Sequence, residues 1–121
     1  MSRKILVVDD EISIGEIFRD YFSEEGYVVL LATDAPKALE LVSIEHPDLV
    51  LLDIKLPGMD GLECLREIKK KLPDTVVVML TGVQDEEVAK QAIRRGAYEY
   101  MTKPMDLQYF EKHILSRVFP A

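Results

Sequence analysis

The polar side chains best suited to chemistry stand where apolar runs stop. Asp9 and Asp10 follow Ile5-Leu6-Val7-Val8, and Asp53 closes Leu49-Val50-Leu51-Leu52. Thr81 closes Val76-Val77-Val78-Met79-Leu80, and Lys103 follows Tyr98-Glu99-Tyr100-Met101 after one intervening Thr102. Three carboxylates drawn close together repel one another and call for a cation. All-oxygen donors with few protein ligands and room for water suit Mg²⁺, with Mn²⁺ as a substitute, better than Zn²⁺. A metal beside Asp53 would neutralise charge developing on phosphoryl oxygens. Lys103 adds a second positive charge and Thr81 a neutral donor. A carboxylate can itself be the nucleophile and form an acyl phosphate. Phosphoryl transfer needs mostly position and charge neutralisation, and those are the parts present.

These residues meet only if the runs are neighbouring strands. Continuous rather than alternating hydrophobicity predicts strands buried on both faces, as in a parallel sheet covered by helices. Val28-Val29-Leu30-Leu31-Ala32 and the run at 98–101 are weaker, and Glu99 marks the latter as an edge strand. Between the runs lie helical patterns. Ile14, Ile17, Phe18, Tyr21 and Phe22 trace one apolar stripe, with Gly26 as its stop. Ala35, Ala38, Leu39 and Val42 trace a second, capped by Asp34, with Pro47 beyond its end. A third carries Leu62, Leu65, Ile68 and Leu72 before Pro73. The fourth, around Val88, Ala89, Ala92 and Ile93, ends at Gly96 and has the least apolar area to bury. The fifth runs from an Asp106 cap through Leu107, Phe110, Ile114 and Val118. Strand and helix thus alternate five times, which predicts a doubly wound α/β domain with helices on both faces of a parallel sheet. Ligands bind at the carboxyl ends of strands in such sheets, which is where the polar residues gather.

Composition agrees with this class. The chain has 121 residues, 48% hydrophobic and 31% charged, which fits one domain over 1–121. Its 15 basic and 22 acidic residues give a net charge of -7, which argues against a nucleic-acid surface. Cys64 is the sole cysteine, so no intrachain disulfide is expected. The apolar run before Asp9 is too short for a signal sequence or a membrane span, and a cytoplasmic location is expected. The closing Arg117-Val118-Phe119-Pro120-Ala121 reads equally as a natural end or as the start of a linker.

Over nearly its full length the chain is similar to the receiver domains of two-component response regulators. The motifs carrying the resemblance are Val7-Val8-Asp9-Asp10-Glu11, Leu51-Leu52-Asp53-Ile54-Lys55-Leu56-Pro57-Gly58-Met59-Asp60-Gly61, Leu80-Thr81-Gly82 and Lys103-Pro104. Each alone is weak; their order, each on its own strand end, is specific. The Asp53 loop especially resembles single-domain regulators of sporulation phosphorelays. The resemblance implies a flavodoxin-like (βα)5 three-layer sandwich with strand order 2-1-3-4-5. It implies that Asp53 accepts a phosphoryl group from a phosphohistidine of a sensor histidine kinase or a histidine phosphotransfer protein. Asp10, Asp53 and the backbone carbonyl of Lys55 would bind Mg²⁺, with Asp9 acting through metal-bound water. Thr81 and Lys103 would contact phosphoryl oxygens, and the Lys103–Pro104 bond would be cis. Tyr100 matches an aromatic switch position that turns inward with Thr81. The fourth helix, fifth strand and fifth helix would form the face read by a downstream effector domain or protein, in a monomer or a phosphorylation-linked dimer. Lys55 and Val83 match positions that, the resemblance implies, would tune acyl-phosphate lifetime. Beyond its own phosphorylation and dephosphorylation the domain would not be an enzyme.

Plainer readings stand beside these. Asp9 and Asp10 can be turn residues, Lys103 a solvated side chain, Thr81 a simple strand end, and Tyr100 a half-buried edge aromatic. Asp60, Asp85 and Asp106 read as helix caps. His46 and His113 are isolated and have no cysteine partner for a transition metal. Cys64 reads as a small core residue, and Lys69-Lys70-Lys71 as a solvated helix end that suits the dipole. Three rival functions compete. An Mg²⁺-dependent aspartate-nucleophile phosphatase would place Asp-x-Asp after the first strand, where adjacent Asp9 and Asp10 stand. A flavodoxin-like cofactor binder would need a glycine-rich phosphate loop there. A receiver-like module that only binds protein would not need all the site positions.

Overall fold

The computed structural model describes residues 3–82 and 85–120. Its elements are β1 (Lys4–Val8), α1 (Ile12–Ser23), β2 (Val28–Ala32), α2 (Ala35–Glu45), β3 (Leu49–Asp53), α3 (Gly61–Lys71), β4 (Val76–Thr81), α4 (Glu86–Arg94) and β5 (Glu99–Thr102), followed by a last helix, α5, over 107–118. The strands form one parallel sheet in the order β2-β1-β3-β4-β5, the expected architecture. Both β2 and β5 are edges, which explains why both were the weaker runs. No helix among the described residues is long and apolar enough to cross a membrane.

The continuous apolar runs serve two cores, because successive strand residues point to opposite faces. Leu6, Val8, Val50, Leu52, Val77 and Met79 face one way, against Ala35, Ala38 and Val42 of α2, Leu65 and Ile68 of α3, and Ala92 of α4. Ile5, Val7, Leu49, Leu51 and Val78 face the other, against Phe18 and Phe22 of α1 and Phe110, Ile114 and Leu115 of α5. Phe22 and Phe110 are fully buried with ring centroids 5.7 Å apart, and each contributes about 1.5–3 kcal/mol by burial.

Asp34, Asp60, Asp85 and Asp106 each cap a helix, accepting backbone N–H bonds from Lys37, Leu62, Glu87 with Val88, and Gln108 with Tyr109, respectively. Ala92 is the only buried residue of α4, so this helix is anchored as thinly as its composition suggested.

Two features differ from the sequence expectation. Ile17 and Ile93 belong to their helices' apolar stripes yet are 58% and 49% exposed, because the sheet covers a narrower arc than the periodicity spans. The last helix is not uniformly α: Glu111–Leu115 forms a π-turn between α-helical Leu107–Phe110 and Ser116–Val118. The wider turn lets consecutive Ile114 and Leu115 both reach the core, and the chain continues to Phe119, whose ring lies 5.4 Å from that of Tyr27.

Candidate functional site

The carboxyl ends of β1, β3, β4 and β5 gather the polar residues into one cleft. Asp9, just past β1, is buried; its backbone N–H donates to Ala32 O and its Oδ1 accepts from the N–H of Glu11 at 2.9 Å. Asp53, the last residue of β3, is also buried, and its Oδ1 accepts from the N–H of Lys55 at 3.0 Å. Asp10 is exposed at the mouth. One carboxylate oxygen from each of Asp9, Asp10 and Asp53 lies within 4.8 Å of the others.

Lys103 reaches into this cluster from the β5–α5 loop. Its ammonium stands 2.7 Å from Asp9 Oδ2 and 3.1 Å from Asp53 Oδ2. Its backbone N–H donates to Thr81 O at 2.6 Å, and its bond to Pro104 is cis. Burial by itself would lower the Lys103 pKa. The ionic contact with Asp9, the hydrogen bond to Asp53 and the negative charges of both outweigh that and hold it above the ordinary lysine value.

The loop between β3 and α3 is closed by its own backbone. Ile54 N–H donates to Leu80 O, and Gly61 N–H donates to Ile54 O at 3.0 Å. A side chain at Gly61 would place its Cβ 2.5 Å from Ile54 Cα and O, so glycine is required for this approach. Gly58 holds φ +87° after Pro57, the conformation a type II turn demands. Together these contacts orient the Asp53–Lys55 segment towards Asp10. A hollow of about 410 Å³ lined by Asp10, Ile54, Lys55, Leu56, Pro57 and Asp60 opens beside it.

Thr81 is buried at the end of β4, and its side chain lines the same cavity as Tyr100. Burial pushes the Tyr100 phenol above its usual pKa, offset in part by the polar Thr81 side chain and Asp85 backbone near it. Tyr100 is half-buried against the α2–α3–α4 core and lines a cavity of about 260 Å³ with Ile54, Leu62, Thr81 and Val88. On the far side of the ring, Ala89, Met105 and Tyr109 border a groove of about 520 Å³. A groove of equal volume at the opposite sheet edge, around Pro47, Thr75 and Tyr98, holds none of the site residues.

All the residues singled out on the strand ends come together except Val83, which lies outside the described residues. Asp60, Asp85 and Asp106 serve as caps, and Cys64 is a buried core residue. Periodicity assigned Ile17 to the core. With Ile14, Phe18, Leu80, Pro104 and Met105 it instead borders an apolar hollow of about 380 Å³ that Lys103 also lines.

The donor set fits a hard divalent cation. It is all oxygen, its three carboxylates carry more charge than one ammonium balances, and Asp9 Oδ2 is buried without a well-directed hydrogen bond beyond its ionic contact with Lys103.

Comparison with known proteins agrees with this geometry. The family model for the response regulator receiver domain matches residues 5–115. The receiver domain of NtrX from Brucella abortus is 42% identical, with a TM-score of 0.85, over 94% of this chain and 96% of that one. A CheY-like response regulator receiver domain protein from Methanospirillum hungatei JF-1 is 31% identical, with a TM-score of 0.92, over 98% and 94%. A response regulator from Burkholderia pseudomallei, solved with a phosphorylated aspartic acid, a calcium ion and citrate, is 26% identical, with a TM-score of 0.86; this chain covers 66% of it and is itself covered over 97%. The chain belongs to the response regulator receiver domain family.

Proposed function

We propose, for this receiver domain of a response regulator, that Asp53 accepts a phosphoryl group from the phosphohistidine of a sensor histidine kinase or a histidine phosphotransfer protein. The observation that carries the reading is the ammonium of Lys103 held between the carboxylates of Asp9 and Asp53 at the carboxyl end of the sheet. One Asp53 oxygen is engaged by the Lys55 N–H, which aims the carboxylate while Lys103 screens its charge. An incoming phosphoryl meets that ammonium and the Thr81 side chain, and Lys103 stays protonated because its pKa is held high. Asp9, Asp10, Asp53 and the backbone carbonyl of Lys55 would hold Mg²⁺, or Mn²⁺. Bound there, the ion supplies charge neutralisation of the phosphoryl oxygens. The calcium ion and phosphorylated aspartate in the Burkholderia pseudomallei relative support the same reading.

The chemistry reaches the surface through Tyr100. A phosphoryl on Asp53 sets nearly two negative charges beside Thr81 in place of the carboxylate's one. Thr81 drawn towards it would open space beside Tyr100 in the cavity they both line, and α4, whose one buried residue is Ala92, yields most readily. The face formed by α4, β5 and α5 is then the surface a downstream effector domain or protein reads. The whole chain acts as one receiver domain in the cytoplasm, and its only chemistry is its own phosphorylation and dephosphorylation.

Intact mass after incubation with a small phosphodonor and MgCl₂ tests this. One added phosphoryl that Asp53→Asn abolishes is expected. Turnover of a free phosphate ester without an adduct would favour the aspartate-nucleophile phosphatase instead. Tyr100→Ala should keep the adduct yet lose the phosphorylation-dependent NMR shifts of α4. Loss of both together would refute the switch.

A further inference from the structure

The carboxylates at the acceptor edge extend well beyond the site. In a parallel sheet each following helix starts at the strand's carboxyl end, and α2, α3, α4 and α5 all start on an aspartate: Asp34, Asp60, Asp85 and Asp106. Glu86 and Glu87 add two more charges in the first turn of α4. Asp34 is half-buried and the other five are exposed. Among the described residues, none of the six forms an ion pair within 4 Å. Cations are sparse here: Lys37, already paired with Glu40 at 3.6 Å, Lys55, and Lys103 inside the site.

The opposite edge carries both signs: Glu24, Glu25, Glu45, Asp48 and Asp74 lie there, with Arg3, Lys4 and Arg117. Lys69, Lys70 and Lys71 close α3, and Arg94 and Arg95 close α4. The stem of Lys69 lies 3.3 Å from where a Gly96 Cβ would stand, so the two helix ends adjoin. The opposite edge is thus near balance, and the acidic excess of the chain lies at the acceptor edge.

Capping explains the shape of each aspartate but not its charge, because asparagine caps a helix as well as aspartate does. The helix dipole offsets only about half a charge per helix.

We infer that this field selects the phosphodonor: the edge accepts a phosphohistidine presented on a basic surface and disfavours one in acidic surroundings. The inference rests on the reading of Asp53 as acceptor. In the transfer, the N–P bond of the phosphohistidine breaks and an Asp53 Oδ–P bond forms. The imidazole leaves neutral after taking one proton from solvent. The donor brings two negative charges to an edge already negative, and basic groups around it compensate that repulsion and steer the encounter. Exposed charges act over about 8 Å at physiological ionic strength and about 30 Å at 0.01 M, so the selection must weaken with salt.

The test uses two synthetic peptides, each carrying one phosphohistidine, flanked by lysines in one and by glutamates in the other. Transfer to the full chain is followed by intact mass at saturating MgCl₂. At low salt the lysine peptide should react about tenfold faster, and the ratio should fall towards one near ~0.5 M NaCl. A variant with Asp34→Asn, Asp85→Asn, Asp106→Asn, Glu86→Gln and Glu87→Gln keeps its caps and should lose most of the preference. The wild-type salt dependence stands without that variant. Equal rates at low salt, or a preference that salt and the variant leave unchanged, would overturn the inference while leaving Asp53 as acceptor. No adduct from either peptide or from phosphoramidate would overturn the acceptor reading, and this inference with it.

Discussion

Replacing Lys103 by methionine keeps the length of the side chain and removes its charge from between two buried carboxylates. At 2.7 and 3.1 Å and an effective dielectric of about 20, the lost attractions are about 6 and 5 kcal/mol before desolvation. Breaking a buried pair costs about 3–5 kcal/mol net; because 20% of the Lys103 side chain is open to water, a loss of about 2–3 kcal/mol is expected. For a domain of this size that is roughly 8–12 °C in Tm. The loss should depend on divalent cation. In the wild type Mg²⁺ meets oxygens already paired with an ammonium, whereas in Lys103→Met it supplies the only positive charge. Urea melts followed by far-ultraviolet circular dichroism at pH 7, in EDTA and in MgCl₂, should show a larger Mg²⁺ increment for the variant. The alkaline limb gives the sign. The Lys103 pKa is raised in the fold, so its contribution is fully present below pH 10.5 and lost as pH rises through the folded value. Lys103→Met should lack that part of the alkaline loss. A cost below about 0.5 kcal/mol in EDTA, or equal Mg²⁺ increments, would refute the reasoning.

Other perturbations follow from single contacts. Gly61→Ala forces a Cβ into the Ile54 backbone, and urea melts should register a loss of about 1–3 kcal/mol, with weaker Mg²⁺ binding by calorimetry as the Lys55 carbonyl shifts. Asp85→Ala removes the acceptor for Glu87 and Val88 N–H and should cost about 1 kcal/mol, whereas Asp85→Asn should cost little; hydrogen exchange should place the effect in α4. Burial pushes the Cys64 thiol up to about 11, so its contribution is present below pH 9 and lost towards pH 11, at about 1.4 kcal/mol per pH unit. Cys64→Ala should flatten that limb, and in the native protein the thiol should react with a disulfide reagent only on unfolding.

Much of the site was legible because its logic is local. An apolar run ends where the strand leaves the core, and the next residue faces the sheet edge, so Asp9, Asp53 and Thr81 announce both their chemistry and their place. Caps are equally local: Asp34, Asp60, Asp85 and Asp106 each satisfy backbone N–H groups two or three residues ahead. The exposed stripe residues were not legible, because periodicity reports which way a side chain points and not how wide a surface lies opposite. Ile17 belongs to the apolar stripe of α1 but borders the Pro104–Met105 loop after β5 rather than the covered face of the sheet. The π-turn of α5 was hidden for a related reason. It answers the need to bury Ile114 and Leu115 together against α1 and the sheet, which only the packed partners impose.

The amino-acid sequence by itself determined the alternation of strand and helix, the parallel sheet and the residue types at its carboxyl edge, since hydrophobic period and helix caps act within a few residues. Only the tertiary structure decided that the Lys103 ammonium lies between Asp9 and Asp53, that Thr81 and Tyr100 line one cavity, and that Gly61 closes on Ile54. Those contacts join residues far apart in the chain, at distances set by strand register and helix packing, and no local pattern encodes them.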